Sequence, residues 1–180
     1  MLTAGPASAA PKAKVLRNYV YQDCLVTAVS DGDTIKARCG EPGSYEELKI
    51  RLSGIDTPER KQAYGNRART AMSAYVFRKQ VDLICNAQDQ YRRHICKVMV
   101  APNEANSDAK TLDAGLGMLT LGLAWWYKAY AREQSPQDRG QYEFAEFEAK
   151  AKRAGLWADP DAVPPWEWRR TEKERKNKNW

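Results

Sequence analysis

Apolar and polar residues alternate over much of the first half of the chain, and a period of two predicts strands. Residues 24–29 are β-prone and run into Asp31-Gly32, a tight-turn signal. Beyond the turn, Ile35, Ala37 and Cys39 alternate with Lys36 and Arg38. After a Pro- and Gly-bearing loop at 41–46, Leu48, Ile50 and Leu52 alternate with Lys49, Arg51 and Ser53. Arg51 is thereby predicted to point away from the apolar face. The period then changes. Ala68, Ala71, Met72 and Tyr75 recur at i, i+3, i+4 and i+7, predicting a helix over 66–79. Residues 81–85 and 95–100 read as two more strands. Leu112, Leu116 and Leu119 predict a helix over 111–121; Gly115 and Gly117 weaken it, and Gly122 is placed to end it. A last helix is predicted over 141–154, with Phe144, Phe147, Ala151 and Ala154 on one apolar face and Gly155 as its stop. There is no internal repeat. The order of strands and helices is α+β with a mainly β core, and it suits a small closed barrel of five strands with three helices.

Composition narrows the function. The chain has 180 residues, of which 43% are apolar, enough for one core. Its formal charge of +6 hints at a polyanionic partner. No run of 18 or more apolar residues occurs, so a transmembrane helix is excluded and no membrane role is expected. The single histidine, His94, excludes any catalytic or zinc site that needs two. Residues 1–18 read as a flexible segment, in which Ala7-Ser8-Ala9 is either the end of a signal peptide or part of an Ala/Pro-rich tail. Residues 19–170 read as the folded domain and 171–180 as a basic tail. From Trp166 onward six Lys and Arg oppose three Glu, which reads either as a solvated tail or as a phosphate-binding arm.

The four cysteines allow a test of pairing. A hairpin centred between Asp31 and Gly32 places Cys24 opposite Cys39, while Cys85 and Cys96 flank a second hairpin whose longer loop leaves the register free. Two hairpin disulfides would suit an oxidising compartment and an exported protein; four buried thiols are the other reading.

Candidate chemistry lies in Asp31-Gly-Asp-Thr34, Arg51 to Arg60 and Asp89-Gln-Tyr-Arg-Arg93. Asp33 and Asp56, brought together by a fold, would repel unless a cation sat between them, and an oxygen-only set suits Ca²⁺ or Mg²⁺. Pro58 stiffens the loop that carries Glu59, a carboxylate able to orient or deprotonate water. Arg51 and Arg93 can each donate two hydrogen bonds to a phosphate. Each signal alone has an ordinary explanation: turn chemistry for Asp33, helix capping for Asp56, a solvated face for the arginines.

Their order and spacing together resemble the staphylococcal nuclease-like (thermonuclease) family. The resemblance rests on Val29-Ser-Asp-Gly-Asp-Thr34, on Arg51 with Asp56-Thr-Pro-Glu59 five residues on, and on Asp89-x-Tyr91-x-Arg93. It continues in Gly122-Leu-Ala-Trp-Trp-Tyr127, Gly155-Leu-Trp-Ala-Asp-Pro160 and Pro164-Pro-Trp-Glu-Trp168, which look like the exported bacterial branch. The resemblance implies an OB-fold barrel and a Ca²⁺-dependent, sugar-nonspecific endonuclease acting on DNA and RNA and leaving 3′-phosphate ends, monomeric and without an organic cofactor. It implies Asp33, Asp56 and the Thr57 carbonyl as Ca²⁺ ligands, with Asp31 steadying the turn behind them. It implies Glu59 as general base and Arg51 and Arg93 as phosphate clamps, with Tyr91, Tyr127 and Tyr130 contacting the nucleotide; for the last two, rim packing is the other reading.

Three departures from the family pattern stand out. Arg67 replaces an acidic residue, Arg92 replaces a turn glycine, and Asn86-Ala-Gln88 makes a short approach to the Asp89 motif. A non-catalytic OB-fold module that binds nucleic acid or protein is the rival expectation, and the five retained charged residues oppose it.

Overall fold

The computed structural model describes residues 14–102 and 108–178. Its spine is β1, Lys14–Val29, a strand long enough to serve two neighbours: its first part pairs with β5 (Gln80–Gln88) and its last with β2 (Thr34–Cys39). β2 pairs with β3 (Glu46–Leu52), and β5 with β6 (His94–Val100), all antiparallel. The barrel closes where β3 and β6 run parallel, at Ile50 beside His94, Arg51 beside Ile95 and Leu52 beside Cys96. Closure removes the exposed edges of a five-stranded sheet. This is the small closed barrel that the order of strands and helices suits, of the OB type that the family resemblance implies.

The predicted faces hold in β2 and β3. Ile35, Ala37, Cys39, Leu48, Ile50 and Leu52 are buried, and so are Val81, Leu83, Val98 and Val100. Helix α1 (Gly65–Val76) closes the barrel with Ala68, Met72 and Val76, starting and ending a little earlier than predicted. A two-residue strand, β7 (Leu112–Asp113), leads into α2 (Ala114–Thr120), whose first amides are capped by the Asp113 carboxylate. β1 begins ten residues before the predicted strand. Its backbone pairs Lys14 with Gln88 and Val15 with Ala87. The expected flexible segment lies outside the described residues up to position 13.

Both cysteine pairs form disulfides, Cys24–Cys39 and Cys85–Cys96. The first hairpin pairs Leu25 with Arg38 and Val26 with Ala37, the predicted register, and a bulge between Val26 and Ala28 shifts it by one nearer the turn. The intact mass without reductant should therefore fall four hydrogens short of the fully reduced mass. Removing either bond by paired Cys→Ala substitution is expected to cost about 2–4 kcal/mol. Denaturant unfolding checks this; an unchanged midpoint would rule out a stabilising role.

One predicted face is wrong. Helix α3 (Pro136–Ala151) begins five residues earlier than predicted, with Ser135 as N-cap and Pro136 in its first turn. It turns Tyr142, Ala145, Glu146 and Ala149 inward and leaves Phe144 and Phe147 exposed. Hydrogen bonding decides the orientation. The Tyr142 hydroxyl donates to Asp113 Oδ2 at 2.9 Å, and Glu146 Oε1 accepts the Trp126 amide at 3.0 Å. Rotating the phenylalanines inward would leave that buried amide without its acceptor, a penalty of about 1–3 kcal/mol.

The expected basic tail also has structure. Helix α4, Pro165–Lys178, runs through its described part. No described helix is long and apolar enough to cross a membrane.

Candidate active site

Three chain segments meet at one mouth of the barrel. The first is the β1–β2 turn. Ser30 N–H donates to the Thr34 carbonyl, and Asp33 N–H donates to Asp31 Oδ1 at 3.1 Å, so the Asp31 side chain braces the turn that presents Asp33. Gly32 sits where a Cβ would lie 2.8 Å from both Ala68 Cβ and Thr57 Oγ1. Any side chain there would push the turn away from α1 and from the following segment.

The second segment is Arg51 to Gln62. Arg51 stands at the barrel closure, between Thr34 and Ile95. After a tight turn, β4 (Ile55–Asp56) pairs with β8 (Trp125–Trp126), which fixes Asp56 beneath Arg51. The loop to α1 then packs tightly: a Cβ on Gly65 would lie 2.0 Å from the Glu59 carbonyl oxygen. The third segment is the β5–β6 turn. The Asp89 carboxylate accepts the amides of Tyr91 and Arg93 at 2.9 Å and Arg93 Nε at 2.7 Å.

The structure brings together most of the residues singled out from sequence. Asp31, Asp33, Arg51, Asp56, Thr57, Glu59, Arg93, Tyr91, Tyr127 and Tyr130 line one cavity of about 550 Å³. Arg51 binds both carboxylates: Nη1 lies 2.6 Å from Asp33 Oδ2 and Nη2 2.9 Å from Asp56 Oδ1. The Nη1 contact is a charge contact without hydrogen-bond alignment, so that buried donor still lacks an aligned acceptor. Asp33 Oδ2 also accepts the Thr57 amide at 2.8 Å and the Thr57 hydroxyl at 2.9 Å.

Crowded carboxylates shape the electrostatics. Burial, with Asp33 beside it, pushes the Asp31 carboxyl up to about 7. Burial also raises Asp56, against the pull of the Arg51 and Arg169 guanidiniums. Burial disfavours charge on Arg51, yet Asp33, Asp56 and Asp31 outweigh it and hold the group protonated. Asp89 is partly desolvated, but the donors of Arg93 keep it below the ordinary carboxylate range.

The donor set fits a hard divalent cation. Asp33 and Asp56 are 5% and 1% exposed and share one guanidinium, the place where positive charge is required. Among the described residues no three His, Cys, Asp or Glu side chains form a ready-made metal cage. Backbone and solvent oxygens would have to complete the shell around two carboxylates.

None of the three departures lines the cavity. Arg67 is exposed, with its guanidinium 5.5 Å from the Tyr64 ring centroid. Arg92 takes the left-handed conformation, φ 61°, that its family counterpart glycine adopts freely, and its exposed side chain does not line the cavity. Asn86-Ala-Gln88 is simply the end of β5, and Asn86 Nδ2 donates to the Glu133 carbonyl at 3.0 Å. Tyr127 and Tyr130 pack on each other at 5.1 Å, and Tyr127 also meets Trp166 at 5.5 Å, so rim packing holds both rings. Tyr91 is 67% exposed at the rim.

The sequence singles out Gln62 for nothing and offers Arg169 only as one of the six basic residues from Trp166 onward, in a solvated tail or a phosphate-binding arm; the structure places it on carboxylates instead. Arg169, in α4, places Nη2 2.6 Å from Asp56 Oδ2 and Nη1 2.8 Å from Glu59 Oε1. Burial works against its charge, but the two carboxylates raise its affinity for the proton well above the ordinary value. Besides the basic surplus, spacing is a signal for Arg169: Trp166 and Arg169 lie three apart and share one helical face.

Comparison with known proteins agrees with the geometry. The sequence pattern of the family described as staphylococcal nuclease homologue matches residues 49–159. The protein ParB of Escherichia coli is 36% identical over 152 residues, covering 84% of this chain and 81% of that one. The micrococcal nuclease of Shigella flexneri is 34% identical over 152 residues, covering 84% and 83%. An uncharacterized endonuclease of Haemophilus influenzae is 35% identical over 150 residues, covering 83% and 74%. On this similarity, joined to the closed barrel and its paired carboxylates, the chain belongs to the staphylococcal nuclease family.

Proposed function

We propose that this nuclease is a Ca²⁺-dependent, sugar-nonspecific endonuclease that hydrolyses DNA and RNA phosphodiesters and leaves 3′-phosphate ends. The observation that carries the reading is the cavity itself, where two buried carboxylates (Asp33 and Asp56), the looser Glu59 and three arginines (Arg51, Arg93 and Arg169) converge. Asp33, Asp56 and the Thr57 carbonyl would hold the cation, with Asp31 fixing the turn behind Asp33. A bound Ca²⁺ would supply positive charge to the substrate phosphate and polarise it. Glu59, on a loop stiffened by Pro58, orients a water and takes its proton as the water attacks phosphorus. Arg51 donates to the phosphate from the barrel wall. Arg93, its Nε held by Asp89, offers its two Nη groups to the oxygens that gain charge as the 5′ oxygen leaves.

Tyr91, Tyr127 and Tyr130 offer ring faces at the rim for the bases and sugars. Stacking on ring faces and phosphate contacts need no 2′-hydroxyl, the group that distinguishes RNA from DNA, which supports action on both polymers. The protein acts as a monomer without an organic cofactor and is exported. Export is supported by the two disulfides, which persist in oxidising compartments.

The test is cleavage of single-stranded DNA and RNA with Ca²⁺, with Mg²⁺ and with chelator, followed by end analysis of the products. Cleavage of both polymers only with Ca²⁺, leaving 3′-phosphates, is expected. Binding without cleavage under every metal would favour the OB-fold binding module instead.

A further inference from the structure

Glu59 presents a problem that the barrel does not solve. The proposed water-orienting carboxylate is 39% exposed on an irregular loop. Among the described residues, no group of the barrel donates to its side chain. A carboxylate with that freedom spends much of its time misaligned, and misplacement of about 1 Å can cost about 10²-fold in rate.

The C-terminal segment supplies what the barrel lacks. Arg169 Nη1 reaches Glu59 Oε1 at 2.8 Å and Asp56 Oδ1 at 3.2 Å, while Nη2 takes Asp56 Oδ2 at 2.6 Å. One planar guanidinium thus fixes the separation of the two carboxylates. The same loop is gripped a second time. Gln62, 8% exposed, accepts the Glu59 amide through Oε1 at 3.1 Å and donates through Nε2 to the Val163 carbonyl just before α4. The first turn of α4 is itself anchored. Pro165 is buried, and Trp166 packs against Trp125 and Tyr127 at 6.4 and 5.5 Å. Beyond Arg169 the helix makes no ion pair to the barrel among the described residues.

We propose that Arg169 is a positioning residue which, together with Gln62, clamps the Glu59 loop and aims its carboxylate for hydrolysis. This rests on the role proposed for Glu59. It gives the segment from Val163 to Arg169 a part in the reaction although it lies outside the matched family pattern. The contact to Glu59 runs through Nη1 alone, so it does not require Asp56 to stay paired when a cation is bound. Lysine is a poor substitute, because a single ammonium cannot reproduce the planar fork.

The test uses the full chain, a single-stranded DNA oligonucleotide and saturating Ca²⁺. Arg169→Ala is expected to lower kcat about 10- to 100-fold, the usual cost of losing a supporting partner. KM should stay within about threefold, because uniform substrate binding is untouched. Arg169→Lys should recover only part of the loss, and added guanidinium ion should recover part of the Arg169→Ala rate. Because Arg169 acts through Glu59, the Glu59→Gln/Arg169→Ala double variant should be no slower than Glu59→Gln. Independently of turnover, hydrogen exchange at the Glu59 amide should speed up several-fold in Arg169→Ala.

A kcat within twofold of wild type, a loss carried by KM alone, or a fully additive double variant would each overturn the clamp. Unchanged exchange at Glu59 would do so without any assay of cleavage. Full activity in Glu59→Gln would instead overturn the role of Glu59, an outcome distinct from failure of the clamp.

Discussion

Asp33→Asn is expected to cut turnover at least about 10²–10³-fold and to weaken Ca²⁺ binding. A metal centre supplies several kcal/mol of charge stabilisation, and each 1.36 kcal/mol is tenfold in rate. The substitution is informative because it isolates charge. Asp33 Oδ2 accepts the Thr57 amide and hydroxyl at 2.8 and 2.9 Å, and Oδ1 accepts the Thr34 hydroxyl at 3.2 Å. An asparagine oriented with its oxygen toward Thr57 keeps those bonds, and the Thr34 hydroxyl can turn to accept from the amide nitrogen. What is lost is the negative charge opposite Arg51, 2.6 Å away. Folding stability should fall by about 1–3 kcal/mol, as for a hydrogen-bonded charged partner. Calorimetric Ca²⁺ titration beside a turnover assay checks both parts. Wild-type turnover with unchanged Ca²⁺ affinity would remove Asp33 from the site.

The second large effect concerns two adjacent arginines. Arg93→Ala is expected to lower kcat about 10²–10³-fold, the cost of removing a donor aimed at developing charge. Arg92→Ala should stay within about twofold of wild type. The turn explains the contrast. With Asp89 accepting both the amide and Nε of Arg93, that side chain is fixed into the cavity and its Nη groups find no acceptor among the described residues. Arg92, at φ 61°, is thrown outward by the same turn and is exposed. Parallel kinetics on the two variants decide the matter. An inactive Arg92→Ala beside an intact Arg93→Ala would transfer the role to Arg92.

Much of the molecule could be read along the chain. Alternation located β2 and β3, because a half-buried strand must place apolar side chains at every second residue, and β5 and β6 also lie where strands are expected. The same logic, applied to a turn at Asp31-Gly32, set Cys24 opposite Cys39. Short motifs singled out Asp33, Arg51, Asp56, Glu59 and Arg93, and the fold brings all five to one cavity. A hydropathy pattern failed at α3, where the inward face carries the charged Glu146 and a tyrosine held by its hydroxyl, while Phe144 and Phe147 point outward.

What the sequence by itself determined is therefore local: the periods, the turns, the cysteine register and the residue types of the site. Only the tertiary structure decided which distant groups meet. The parallel closure of β3 on β6 lines Arg51 up beside Ile95. A backbone amide at Trp126 chooses the buried face of α3. Arg169 reaches Asp56 across 113 positions of sequence. Steric and periodic preferences act over a turn of helix or a strand pair, whereas a charge finds its partner only after the intervening chain has packed.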